Sequence, residues 1–360
     1  MTEPEVDAPA GASPSVAPAK PRRRPWQVAA VVLASALGAA AIGANFIRVP
    51  YIITSPGEAT PLDADVVSIT GAPTYSLDDD LLFLTVRVSN RDPNLWRYLF
   101  ALLDDDVSVD KREEVIGCQS YAESTRLNDL LMSESQDAAT TVALRRLGYE
   151  VVEEGNRVVV VDVLCDGPSR DRLMAGDVIT AVDGTPVAVA DDVRPLVVAH
   201  SPGERLRVTV DRGGETREVD LRLGERDGAA FMGIRSQTVT EQHFPFSVKI
   251  DTRSVSGPSA GLAFTLAIID ELTPGDLTGN QRVAVTGSIL PDGTVQVVGG
   301  VPQKTVTARE RGVSLMLVPR GEAREARSHA GDMRVVAVGT IDEALQALEQ
   351  SGGDPVEADQ

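Results

Sequence analysis

A serine and a lysine frame the chemistry open to this chain. Ser259 lies in Ser256-Gly257-Pro258-Ser259-Ala260-Gly261, and Lys304 lies 45 positions later, at the end of Gly299-Gly300-Val301-Pro302-Gln303-Lys304. A free serine hydroxyl is a weak nucleophile and needs an adjacent base. Histidine is the usual base, but the three histidines, His200, His243 and His329, stand in no recognisable motif. A lysine can serve when burial disfavours its ammonium form and draws its pKa toward neutrality. Such a pair would attack a carbonyl, pass the serine proton to the leaving group and release the acyl group to water. That is hydrolase chemistry. Backbone N–H groups between Gly257 and Ala260 are the candidate oxyanion donors, in a loop formed by Gly257, Pro258 and Ala260.

Each residue also has a plainer reading. A serine at a helix start is most often a cap, and most lysines are solvated. The surrounding pattern argues for more. Phe246 to Thr252 alternates as a strand, Gly257-Pro258 breaks it, and Leu262 to Ile269 reads as a buried helix stopped by Thr273-Pro274-Gly275. Ser259 is expected in that helix's first turn, where unpaired N–H groups favour developing negative charge. Val283 to Ile289 reads as a strand entering a turn, and Pro291-Asp292-Gly293 closes a hairpin onto Val295 to Val298. Gly299-Gly300 then opens a helix carrying Lys304 and stopped at Gly312.

Residues 150–225 form a unit of short strands. Val158 to Leu164 is a nearly continuous β run, and Ala175-Gly176-Asp177 leads through Val178 to Val182 into an Asp183-Gly184 turn. Ala190 to His200 reads as a helix, and a hairpin around Arg212-Gly213-Gly214 closes the unit. This order resembles a PDZ domain, a module that binds extended peptides by adding a strand to a sheet edge. The resemblance implies a groove between Val159 to Val163 and Asp191 to Val198. The usual carboxylate-binding loop is not visible before Val158, where the chain reads Glu154-Gly155-Asn156-Arg157.

The serine and lysine segments together resemble the proteolytic domain of the Lon protease family, peptidase family S16, over about 120 residues. The resemblance implies that Ser259 is the nucleophile, Lys304 the general base and Thr286 a support for the lysine. It also implies protein or peptide substrates, no cofactor, and a homo-oligomer, a hexameric ring in that family. The chain departs from the family pattern at Ser288, at Ser254-Val255-Ser256 and at Pro302. No Gly-x4-Gly-Lys-Ser/Thr phosphate loop occurs in these residues, so substrates are expected to be flexible or already unfolded.

Residues 1–25 are rich in Pro, Ala and Ser, end in a basic cluster, and are expected to be disordered and cytoplasmic. Trp26 to Ile47 contains no ionisable side chain; as a helix it would run roughly 33 Å, enough to cross a bilayer. Lys20, Arg22, Arg23 and Arg24 before it put the N-terminus inside and the remainder outside. A cleaved signal peptide, cut among Ala39 to Ala44, is the competing reading. Cys118 and Cys165 permit one disulfide outside the cell without requiring it. The Asp104-Asp105-Asp106 run lacks the spacing of a calcium loop and reads as a solvated turn. A formal charge of −19 argues against nucleic acid as a partner.

The expected architecture is therefore multi-domain α+β. Residues 26–48 form an anchor, 49–150 an external α/β region, 151–225 the PDZ-like domain, 226–350 the Lon-like domain and 351–360 a disordered tail. Anchor, PDZ-like unit and Lon-like unit together resemble the bacterial membrane-anchored proteases of the YlbL type. Two other functions stay open: a peptide-holding scaffold or chaperone, and an amidase or esterase using the same pair.

Overall fold

The computed structural model describes residues 25–77, 80–252 and 255–356. Residues 1–24 and 357–360, which belong to the two expected tails, lie outside that range. Helix α1 (Pro25–Ala44) forms one unit, and residues from Arg48 onward form another. At 1.5 Å per residue α1 is about 30 Å long. It is the one helix among the described residues long and apolar enough to cross a membrane.

The body opens with β1 (Tyr51–Pro61), β2 (Val67–Thr70), β3 (Leu81–Val88), α2 (Leu95–Ala101), β4 (Ser108–Lys111), α3 (Arg112–Ile116) and α4 (Tyr121–Arg146). Next come β5 (Val152–Val163), β6 (Val178–Val182), β7 (Thr185–Pro186), α5 (Ala190–Val198), β8 (Arg205–Arg212), β9 (Glu215–Arg222), β10 (Gly224–Arg226), β11 (Ala229–Phe231) and β12 (Ile234–His243). The last stretch supplies β13 (Ser247–Ile250), α6 (Gly261–Leu272), β14 (Val283–Val285), β15 (Ser288–Ile289), β16 (Val295–Gln296), α7 (Val301–Glu310), β17 (Leu315–Pro319), α8 (Ala323–His329), β18 (Arg334–Val338) and α9 (Ile341–Glu349).

One six-stranded sheet runs β18-β17-β14-β3-β1-β4. Its centre is parallel, with β14 between β17 and β3. Leu81, Phe83, Val283, Val285, Leu315 and Leu317 face a core shared with α4, α6 and α9. Leu82, Leu84, Ala284, Met316 and Val318 face the other, shared with α7 and α8. A two-residue period with both faces covered explains why these strands read as unbroken apolar runs.

This sheet joins what the sequence divides. Strands β1, β3 and β4 belong to the expected 49–150 region, yet they complete the sheet built by β14, β17 and β18. β2 likewise pairs with β13. The body carrying the serine and lysine segments is therefore discontinuous, and the PDZ-like unit is inserted between α4 and β13. β12, which follows residue 225, is the end strand of the sheet β12-β5-β6-β8-β9. A Pro-Gly pair usually marks a turn, but Pro56-Gly57 does not turn the chain: β1 continues through a bulge between Pro56 and Ala59. Within the expected tail from 351, Asp354 is held in place: it accepts from Asp276 N–H and donates its own N–H to the Asp276 carbonyl.

The PDZ unit has its own core, with Val158, Val160, Ile179, Leu206, Val208 and Leu221 almost fully buried. Asp177 of the Ala-Gly-Asp motif is completely buried and bound by both Arg212 Nε and Nη2, at 2.6 and 2.7 Å. A disulfide joins Cys118, just before α4, to Cys165, just after β5, with Cα atoms 5.4 Å apart. It ties the PDZ-like unit to the body carrying the serine and lysine segments.

Candidate active site

Ser259 and Lys304 approach from opposite faces of the central sheet. Ser259 precedes α6, which packs in one core; Lys304 rides on α7, which packs in the other. Between them Thr286 follows β14. This is the carboxyl end of a parallel strand, where open α/β sheets place their sites.

The serine loop is braced from three sides. Gly287 N–H donates to the Ser259 carbonyl at 3.0 Å, and Leu262 N–H donates to the Gly287 carbonyl at 3.1 Å. From α4, Ser135 Oγ donates to the Pro258 carbonyl at 3.0 Å, and the Asn128 carbonyl accepts Gly257 N–H at 3.0 Å. Ser259 stands just before Ala260, the N-cap residue of α6, rather than in the first turn. It is half-buried and does not cap the helix, so the plainer reading of this serine fails.

The bracing narrows the oxyanion candidates. Gly257 N–H is already spent on Asn128, and proline has no N–H to offer. Among the described residues, the N–H groups of Ser259 and Ala260 are the donors of this loop that make no hydrogen bond within the chain. Ala260 thus stays a candidate, while Gly257 and Pro258 shape the loop.

Lys304 is 1% exposed. Its Nζ donates to Thr286 Oγ1 at 3.2 Å, and Thr286 Oγ1 donates onward to the Ser259 carbonyl at 3.4 Å. Burial pulls the amine down from 10.5 to about 8, opposed by the negative charge of Glu322. Glu322 precedes α8, and its Oε2 accepts Val298 N–H at 3.0 Å. Burial raises the Glu322 carboxyl above its ordinary range, against the pull of that N–H and of Lys304. No local motif marks Glu322, Asn128 or Ser135, because the fold alone brings them to the site.

Gly300 enforces the approach of α7. Its φ is +71°, and a Cβ there would sit 2.8 Å from Val86 Cγ1. The second glycine of the lysine motif therefore lets the helix start press against β3. The site opens into a cleft of about 1390 Å³ lined by Ser259, Lys304, Asn128 and Glu322, with Val161, Asp162 and Arg235 of the PDZ unit on its wall.

The PDZ groove differs from expectation. Val159 and Val160 are fully buried, and β5 is covered on both sides by β6 and β12. The strand beside α5 with an open edge is β12: Ala190 N–H donates to Thr238 Oγ1 at 2.9 Å. The loop entering β12 is Phe231-Met232-Gly233-Ile234. Gly233 has φ +77°, and a Cβ there would lie 2.7 Å from Pro168 Cδ. This tight glycine loop stands at the start of the open-edged strand, at the far end of the unit from Val158.

An α+β body carrying a PDZ unit and a buried amine beside a braced serine defines the class. Residues 145–223 match the PDZ domain family model, and residues 231–350 match that of the Lon protease (S16) C-terminal proteolytic domain. The chain thus carries a PDZ domain followed by a Lon-type proteolytic domain. It is 30% identical over 192 residues to a Lon protease of Phenylobacterium zucineum, covering 51% of this chain and 24% of that protein. It is 39% identical over 101 residues to a Lon protease of Clostridioides difficile, covering 27% and 13%. The chain spans a quarter or less of these curated relatives. The PDZ domain of an SdrC-like protein from Listeria monocytogenes is 26% identical, covering 22% of this chain and 85% of that one, with a TM-score of 0.21.

Proposed function

We propose that this chain is a serine endopeptidase in which Ser259 attacks a peptide carbonyl and Lys304 acts as general base. The observation that carries this reading is the buried amine, drawn to about 8 and linked through Thr286 to the serine backbone. At that value a working fraction of the lysine is neutral near physiological pH, and burial keeps water from restoring the charge. Thr286 holds the amine when the serine proton has yet to move. Ser259 and Ala260 N–H groups receive the oxyanion. α1 anchors the protein with the body outside the membrane, and the groove beside β12 takes an extended chain end. With no phosphate loop in these residues, the substrates are flexible segments.

The test uses the full chain in mild detergent on an unfolded casein-type protein. Cleavage should vanish with Ser259→Ala while binding of substrate persists. Cleavage that survives the substitution would remove the dyad. Cleavage of small esters with indifference to proteins would favour the amidase or esterase reading, and binding without cleavage by the native chain would favour the scaffold.

A further inference from the structure

One apolar face of the body is not used by its core. Trp96, Leu99, Phe100 and Leu103 recur at i, i+3, i+4 and i+7 along α2 and the turn after it, and so share one side. They are 38%, 42%, 67% and 82% exposed. The helix docks by its other side, where Ala101 is buried and the Tyr98 ring lies 4.7 Å from that of Tyr51. The outward stripe is therefore not a failure of packing. It is the second face of a helix already seated.

The position of this stripe along the chain identifies what it meets. Asn94 caps α2 by accepting Arg97 N–H at 2.8 Å, and it forms a β-bridge with Arg48. Val49 N–H donates to the Pro93 carbonyl at 3.1 Å. The start of α2 is thus bonded to the first residues of the body. Ala44 ends α1 only four residues before Arg48, and four residues span at most about 14 Å. The headgroup layer on each side of a bilayer is itself several ångströms deep (~6 Å). With α1 in the membrane, as read above, the tether holds the stripe at that layer, at a high effective concentration. Tryptophan and phenylalanine favour this layer.

We propose that α2 and its following turn form a foot that inserts Trp96, Leu99, Phe100 and Leu103 into the outer headgroup region and seats the body on the bilayer. The proposal rests on the anchor reading of α1. Arg48, Arg91 and Arg97 are offset by the neighbouring Asp104, Asp105 and Asp106. Apolar burial, not charge, drives the contact, so anionic lipid should add little.

Trp26 and Trp96 are the chain's only tryptophans, which makes the test direct. The full chain with Trp26→Phe is reconstituted in phosphatidylcholine vesicles, with and without lipid brominated on the upper acyl chain. Brominated lipid should remove most of the Trp96 emission, equally with or without added anionic lipid. Adding Leu103→Asp, at a solvent-facing position, should restore the emission. The chain with Trp96→Phe reports Trp26 instead. Quenching of Trp26 but not Trp96 leaves the anchor standing and overturns the foot. Quenching of neither overturns the anchor reading and the foot with it. A blue-shifted, unquenched Trp96 that depends on protein density would assign the stripe to a second copy and also overturn the proposal.

Discussion

Replacing Lys304 with methionine should abolish cleavage and, at neutral pH, make the protein more stable. Burial lowers the lysine's proton affinity in the folded state only. The fall from 10.5 to about 8, at about 1.4 kcal/mol per pH unit, costs the fold about 3 kcal/mol. Below pH 8 both folded and unfolded lysines are protonated, and the cost is fully present. Between pH 8 and 10.5 the folded amine is already neutral while the unfolded one is still charged, so the cost shrinks as pH rises. Above 10.5 it is gone. Methionine fills similar volume without the charge and loses one hydrogen bond to Thr286, worth about 1 kcal/mol. The variant should therefore gain about 2 kcal/mol at pH 7, a rise of a few degrees in Tm. That gain should close, and slightly reverse, by pH 10.5. Thermal scans of native and Lys304→Met chains from pH 6 to 10.5 measure it. A gap that stays constant with pH, or a native chain that is the more stable at pH 7, would refute the buried-amine argument. The same titration predicts that kcat/KM of the native chain falls tenfold per pH unit below about 8.

Glu322→Gln removes the negative charge that supports the ammonium form of Lys304, so the acid limb of kcat/KM should move to lower pH; an unmoved midpoint in the pH–rate profile would dismiss that role. Gly233→Val places a side chain against Pro168 and Gly167 and should weaken binding of a C-terminal peptide at least about tenfold. Fluorescence anisotropy reads that loss, while hydrolysis of a short blocked peptide, which needs no groove, should persist.

The parts of the site that were legible in the sequence are those a short motif contains. Ser259, Thr286 and Lys304 each stand in a local pattern, and the structure brings all three together. What was not legible depends on chain segments far apart. The run Leu81 to Val88 announces a strand, but a strand buried on both faces carries no sign of its neighbour. Its parallel partner β14 lies two hundred residues later. The open-edged strand beside α5 was missed for a different reason. β12 is mostly polar, with Arg235, Gln237, Glu241 and Gln242 along it and only Val239 buried, and it lies beyond the closing hairpin around Arg212-Gly213-Gly214. Proline and glycine together usually make a turn, and Pro56-Gly57 does not. Here the sheet absorbs the pair as a bulge.

Insertion gives the PDZ unit and the serine loop a common support. Adjacent residues of α4 serve both: Ser135 donates to the Pro258 carbonyl, while Glu134 Oε2 accepts Gln237 Nε2 of β12 at 2.9 Å. Burial raises the Glu134 carboxyl to about 7, and its other oxygen is buried without a partner. Further along the helix Gln136 Nε2 donates to the Ile250 carbonyl, at the end of β13. The disulfide at Cys118 fixes the approach to α4 against the end of β5. Under the proposed function, a peptide added to β12 would bind a strand that also touches α4, the helix holding the Ser259 loop. A unit hung on a flexible linker would have no such contacts. Under that proposal the physical link between capture and cleavage is about two turns of α4, from Asn128 to Ser135, and its shared residues are already hydrogen-bonded on both sides.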